Sequence, residues 1–322
     1  MKIVVTRIIP ERGLNILRDA FGEESITVTR QEGPIPRPEL LKIVQGVDAL
    51  LPMLTERIDD ELLDAAGPQL KIVANHAVGY DNIDVDAAKR HGVIVTNTPG
   101  VLTETTADFA WALLMAAARR VGEGERYLRA GKWTCWSPMQ FLGMDIHGAT
   151  LGIFGMGRIG QAMARRAAGF GMKIIYTDSF RLANGVEKSL DATYVEKETL
   201  LRESDFISCH CPLTPETRHA FSTAEFAAMK STAVFVNSSR GPVVDEAALA
   251  DALKTGRIFA AGIDVFEQEP KVHPALLECE NAVLIPHLAS ASVETRSRMA
   301  AIAAQNIVAC LRGETPPNVV QA

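Results

Sequence analysis

Three glycines set between an apolar run and a helical pattern are the clearest chemical signal in this chain. In Thr150-Leu-Gly-Ile-Phe-Gly155-Met-Gly157-Arg-Ile-Gly160, the stretch Ala149 to Phe154 turns directly into Gln161-Ala-Met-Ala-Arg-Arg-Ala-Ala. Gly155 permits a tight turn, Gly157 lets the backbone approach a phosphate, and Gly160 lets the new helix pack closely on the strand. The helix N-terminus adds a field that favours an anion, so the spacing predicts a dinucleotide pyrophosphate site. A second strand, Met172 to Thr177, ends on Asp178. A carboxylate there accepts both hydroxyls of a ribose and repels a 2′-phosphate. The reading is NAD(H) preferred, with NADP(H) kept open by Arg181, the nearest cation.

Three later segments carry groups for anion binding and proton transfer: Asn237-Ser-Ser-Arg240-Gly241, Gly262-Ile-Asp264-Val-Phe-Glu267-Gln-Glu269-Pro270 and Ile285-Pro286-His287-Leu-Ala-Ser290. Each follows a predicted strand. In an open α/β sheet, ligands bind beyond the carboxyl ends of strands, which puts Arg240, Glu269 and His287 on the cofactor's side. Cys209-His210-Cys211 has metal-ligating residue types, but it ends an apolar strand, where neighbouring side chains point to opposite faces. No metal site is expected. The five cysteines, at 135, 209, 211, 279 and 310, form no disulfide framework, which fits a reducing cytoplasm.

The elements that must position these groups alternate along the whole chain. Apolar strands are predicted over 2–6, 26–29, 47–51, 70–74 and 93–95, then over 150–154, 173–177, 205–210, 233–237, 259–264 and 282–285. Alternation of strands with helical segments means parallel sheets covered by helices, so the fold class is α/β with two doubly wound units. The predicted helix over 103–121 is apolar almost all round and must be buried on several sides. The stretch 123–147, with Trp133, Trp136, Pro138 and Phe141, has no strong periodicity and reads as a cap or a clasp for a second subunit. A long alanine-rich helix is predicted over 290–312. A net charge of −6 and a pI near 5.7 argue against a nucleic-acid surface. The longest apolar run, Phe109 to Ala118, is far short of the roughly 18 residues that span a bilayer. Nothing at the N-terminus has the anatomy of a signal peptide.

Together with Asn75-His-Ala-Val78-Gly79-Tyr80-Asp81-Asn-Ile-Asp84 and Asn97-Thr-Pro-Gly100, these segments resemble the D-2-hydroxyacid dehydrogenase family over essentially the whole chain. The detail is most similar to the glyoxylate and hydroxypyruvate reductases, in Trp136-Ser-Pro138 through Phe141-Leu-Gly143 and in Pro212-Leu-Thr-Pro-Glu-Thr217. The resemblance implies a flavodoxin-like substrate domain, 1–98 with 287–322, a Rossmann-like cofactor domain, 99–286, a cleft between them that holds the active site, and a homodimer built through the cofactor domains. Arg240 would hold the substrate carboxylate in paired hydrogen bonds, and the Val78 and Gly79 amides would hold it from the other domain. His287 would exchange the proton with the ketone oxygen, while Glu269 orients the ring and stabilises its charge. Thr106, Arg158, Ile159 and the backbone of Ser238 and Ser239 would contact the cofactor, as would Cys211, Pro212 and Thr217. Asp264 would sit near the nicotinamide carboxamide and Ser290 beside the substrate.

Met53 and Leu54, in the loop after the third strand, are apolar and face the substrate side chain in this reading; Trp136 would enter a neighbouring subunit's pocket. The compact pocket suits glyoxylate or hydroxypyruvate first and a sugar-derived acid such as 2-ketogluconate next. Formate dehydrogenases pair their histidine with glutamine, so Glu269 argues against that activity. An NAD(H)-sensing corepressor of the same architecture is the alternative of a different class.

Overall fold

In the computed structural model, which describes residues 1–31 and 33–320, the chain forms two compact units, Met1–Leu102 with Ala291–Ala322, and Thr103–Ser290. Unit 1 opens with β1 (Ile3–Val5), α1 (Glu11–Phe21), β2 (Ile26–Val28), α2 (Arg37–Ile43), β3 (Ala49–Leu51), α3 (Asp60–Ala66), β4 (Ile72–Ala74), α4 (Val85–Arg90) and β5 (Ile94–Thr96). All strands are parallel in the order β2-β1-β3-β4-β5, the flavodoxin-like order. Side-chain alternation splits each strand between two cores. Val4, Leu50 and Val73 pack with Leu40, Leu62, Leu63 and Ala87, whereas Ile3, Val5, Leu51 and Ala74 pack with Leu14 and Leu17 of α1. Each Val, Leu or Ile among them contributes about 1.5–3 kcal/mol by leaving water.

Unit 2 runs α5 (Thr103–Ala118), α6 (Val121–Arg129), β6 (Thr150–Phe154), α7 (Arg158–Ala168), β7 (Lys173–Thr177), α8 (Asn184–Leu190), β8 (Ala192–Tyr194), α9 (Lys197–Glu203), β9 (Phe206–Cys209), α10 (Thr223–Ala228), β10 (Val234–Asn237), α11 (Glu246–Lys254), β11 (Ala260–Ile263), α12 (Pro274–Leu277) and β12 (Ala282–Leu284). Its sheet, again wholly parallel, is ordered β12-β11-β10-β9-β6-β7-β8. The order reverses at β6, whose neighbours are β7 and β9, and such a switch point is where doubly wound sheets take ligands. α5 and α7 cover one face through Trp111, Leu114, Met163 and Ala167. Leu201, Phe226, Leu249 and Leu276 cover the other. The chain then returns to unit 1 as α13 (Val293–Leu311), capped by Ser292 and laid against α1.

The architecture is α/β with two parallel-stranded, Rossmann-like units. The junctions fall at 102/103 and 290/291 rather than at 98/99 and 286/287. Residues 287–290 stay with unit 2 because the buried Asp264 carboxylate accepts the N–H groups of Leu288 and Ala289 at 2.6 and 2.9 Å. The apolar helix α5 stops at Ala118, short of 121, and Arg120 adopts a left-handed backbone before α6 begins. Among the described residues, no helix is long and apolar enough to cross a membrane.

Candidate active site

The turn from β6 to α7 is packed on its inner side and bare on its outer side. Gly155 has φ +94°, and a Cβ on it would stand 2.6 Å from the Cys211 nitrogen. A Cβ on Gly160 would run into the Gly155 carbonyl. Around Gly157, which caps α7, nothing lies within 4 Å of a Cβ position, and Gly157 and Arg158 are exposed while Ile159 is half-buried. The Asp178 carboxylate is fixed against this loop, because Oδ2 accepts the Met156 N–H at 2.6 Å. Ser179 Oγ donates to the other oxygen at 3.1 Å.

Across the switch point, the chain leaving β9 brings His210 and Cys211 against Gly155. His210 Nε2 lies 2.8 Å from Ser208 Oγ, and burial pushes its pKa down to about 4. Burial also pushes the Cys211 thiol up to about 12. Such a thiol stays protonated and is a poor metal ligand; among the described residues, no three His, Cys, Asp or Glu side chains are grouped to hold a metal. Thr217 Oγ1 donates to the Pro212 carbonyl at 2.7 Å and closes the 212–217 loop. Thr106 is buried in α5. Ser239 is held by Asn237 Oδ1. Ser238 Oγ and His210 Nδ1 are buried without a hydrogen-bond partner, an arrangement that costs about 1–3 kcal/mol per group unless a ligand or water completes it. The open face at Gly157, the anchored Asp178 and these orphaned atoms fit a dinucleotide.

Arg240, Glu269 and His287 stand after β10, β11 and β12, at the same edge of the sheet. His287 Nδ1 lies 2.9 Å from Glu269 Oε2, with each side chain about one-third exposed (33% and 35%). The bond leaves Nε2 as the nitrogen for a ligand. Burial pushes the Glu269 carboxyl up, but the His287 hydrogen bond and charge, the Phe266 N–H and the Arg240 charge outweigh it and hold the group below its ordinary value. Arg240 Nη1 donates to the Ser239 carbonyl at 2.9 Å, and Asn237 Nδ2 donates to the Arg240 carbonyl at 2.9 Å. His287 has φ +53°, and its N–H donates to the Asp264 carbonyl at 2.9 Å. Burial raises the Asp264 pKa against the pull of the Leu288 and Ala289 N–H groups and the charge of His287. Asp264 therefore holds the His287 segment, a task its sequence position did not disclose. Ser290 follows directly and is half-buried.

Two positioning groups were also invisible in the sequence. Glu246, at the start of α11, is buried and accepts the N–H groups of Glu267 at 2.5 Å and of His273 at 2.8 Å. Glu267 returns the bond by accepting the Glu246 N–H at 2.8 Å. This bracket spans the loop that carries Glu269, and a Cβ on Gly241 would collide with the Phe266 carbonyl of that loop.

Within unit 1, Asn97 Nδ2 donates to the Val78 carbonyl at 2.8 Å and Asn75 Nδ2 to the Gly79 carbonyl at 2.9 Å. The two carbonyls are occupied, while among the described residues neither backbone N–H of this pair donates a hydrogen bond. Successive free amides in a turn suit an anion. Asn82 ties the same loop to the Met53 carbonyl at 3.2 Å, and the Met53 N–H donates to buried Glu56. Met53 and Leu54 are half-buried. Leu54 lines a hollow of about 490 Å³ with Arg57, Ile58, Asp81 and Asn82. Trp136 is not gathered with any of these groups within unit 2; it stands 77% exposed.

Residues 111–289 match the family model of the D-isomer specific 2-hydroxyacid dehydrogenase NAD binding domain. The chain is 56% identical to a glyoxylate reductase of Korarchaeum cryptofilum over 322 residues, 99% of this chain and 95% of that protein. Among solved structures it is similar to the TT0316 protein from Thermus thermophilus, with 44% identity, full coverage of both chains and a TM-score of 0.92. It is also similar to an NADPH-dependent glyoxylate/hydroxypyruvate reductase from Sinorhizobium meliloti solved with NADP and malonate, at 35% identity, with 99% of this chain and 96% of that one covered and a TM-score of 0.82.

Proposed function

Because the chain belongs to the D-isomer specific 2-hydroxyacid dehydrogenase family, we propose that it reduces a small 2-oxo acid, glyoxylate or hydroxypyruvate, with NADH preferred and NADPH accepted. The observation that carries the reading is the 2.9 Å bond between His287 Nδ1 and Glu269, at the sheet edge that also presents Arg240. The nicotinamide cofactor, when bound, supplies the hydride. Gly155, Gly157 and the α7 N-terminus receive its pyrophosphate, and Asp178 accepts its ribose hydroxyls. Arg240 pairs with the substrate carboxylate. His287 gives the proton on Nε2 to the ketone oxygen in reduction and takes it back in oxidation. Glu269 steadies the positive ring by a charge-assisted bond of a kind that contributes about 1.5–3 kcal/mol. In unit 1 the free Val78 and Gly79 amides are suited to the same kind of anion.

We read the enzyme as a cytoplasmic homodimer. Trp133, Trp136, Met139 and Leu142 form an exposed apolar stretch of the kind that a second copy covers, and the five cysteines are unpaired, as in a reducing compartment. The test is the loss of NADH or NADPH absorbance with glyoxylate, hydroxypyruvate, pyruvate, 2-ketogluconate and 3-phosphohydroxypyruvate. Fast turnover of the first two with NADH is expected. Turnover confined to 2-ketogluconate would reassign the substrate, and silence across the panel with cofactor bound would sink the enzymatic reading.

A further inference from the structure

We infer that Glu187 is a second selector of the cofactor: it withdraws Arg181, the cation that a 2′-phosphate would need, and so enforces the preference for NADH. The inference rests on the cofactor reading above. Arg181 lies in the loop after β7, beyond Asp178, and its side chain is 61% exposed. Its guanidinium is nonetheless committed. Nε donates to Glu187 Oε1 at 2.9 Å and Nη2 to Oε2 at 3.0 Å, the two-pronged geometry that makes arginine–carboxylate pairs directional. The guanidinium carbon also lies 5.8 Å from the Tyr194 ring centre.

Glu187 is the fixed member of the pair. It is buried on α8, and Tyr176 Oη donates to its Oε1 at 2.8 Å. The Tyr176 hydroxyl in turn accepts the Leu182 N–H at 2.9 Å, which secures the loop just past Arg181. Tyr176 lies on β7, two residues before Asp178, with its ring fully buried. The strand that presents the ribose-reading carboxylate thus also anchors the carboxylate that holds the arginine. Asp178 follows β7, and the cation three residues on, Arg181, is paired with a second carboxylate, Glu187, so a 2′-phosphate entering beside Asp178 meets negative charge. Asp178 repels it, and Glu187 denies it the compensating cation.

The experiment is calorimetric titration of the full-length protein with NADH and with NADPH. Glu187→Gln should free the guanidinium and strengthen NADPH relative to NADH by about tenfold, the scale of one recovered charge-assisted contact. Arg181→Gln should leave the NADPH Kd of the otherwise unchanged protein within about twofold, and should cancel the gain when combined with Glu187→Gln. An unchanged NADPH-to-NADH ratio in folded Glu187→Gln overturns the inference. So does a weakening of NADPH by about fivefold or more in Arg181→Gln alone, which would show Arg181 already serving the phosphate; this arm stands even where Glu187→Gln does not fold. Failure of the unaltered protein to bind NADH at all would instead overturn the cofactor reading itself.

Discussion

His287 occupies the left-handed backbone region, which costs a residue other than glycine on the order of 1–3 kcal/mol when the surroundings impose it. The surroundings here are Asp264, whose backbone and side chain take the N–H groups of three successive residues. Asparagine tolerates that region well, so His287→Asn separates chemistry from folding. Turnover should fall by about a hundredfold to ten-thousandfold, the usual worth of a positioned acid–base group, with NADH affinity retained. Steady-state kinetics beside calorimetry checks this, and near-normal turnover would remove His287 from the mechanism. Glu269→Gln keeps the shape but removes the charge that stabilises an imidazolium. Reductive kcat/KM should drop at neutral pH and recover as the pH is lowered; an unshifted pH profile would leave Glu269 with a purely steric task. The residue types and their order after strands were legible in the sequence. The Asp264 anchor and the Glu246–Glu267 bracket were not, because carboxylates 20 or so residues from their partners leave no local pattern.

The central strands are legible in the sequence because their side chains face a core on both sides. The strands around Val4, Leu50 and Val73, and those around Ile153, Ile175 and Val236, read as apolar runs because parallel sheets bury both faces. β8 escaped: it is three residues long, at the edge of its sheet, and only Ala192 is buried. α6 escaped because Gly122 and Gly124 interrupt a charged sequence and lower its helix propensity, and no residue in it is buried. The short helix α10 shows what local chemistry alone can specify. Ser222 and Glu225 form a reciprocal capping box, and Lys197 Nζ lies 2.9 Å from Glu225. Burial pushes the Glu225 carboxyl up, yet the bonds from Ser222 and Lys197 win and draw it down to about 2. A carboxyl depressed in this way adds stability above its unfolded value, near ~4.3, and loses it as the pH falls from there towards 2. Ser222→Ala should cost about 1 kcal/mol at pH 7 and less at pH 3. Equal losses at both pH values in urea titrations would show that the carboxylate plays no part in the cap.

Each unit contains one histidine that burial keeps neutral. His76 in unit 1 is pushed down to about 4 by burial, with the Arg296 charge adding to it, and His210 does the same in unit 2. The unfolded chain binds a proton at each near ~6.5, and the folded chain refuses it until about 4. Between those values the unfolded state holds more protons, so stability must decline as the pH falls, by up to about 1.4 kcal/mol per pH unit for each group. Urea midpoints from pH 7.5 to 4.5 should show it, and His76→Asn with His210→Asn should flatten the slope; an unaltered slope would place the dependence on other groups. The chain completes unit 1 only on its return as α13. Ala300, Ala303 and Ile307 cover a sheet face that includes Ile3, Val5, Leu51 and Ala74, yet they leave the ribosome only after the whole of unit 2. At about 5–20 residues per second, synthesis of Thr103 to Ser290 leaves that face uncovered for roughly 10–40 s. A chain truncated after Ser290 and released from the ribosome should therefore carry a protease-resistant unit 2 behind a protease-sensitive, chaperone-binding N-terminal segment, and equal resistance of both would show that the first sheet closes without its last helix.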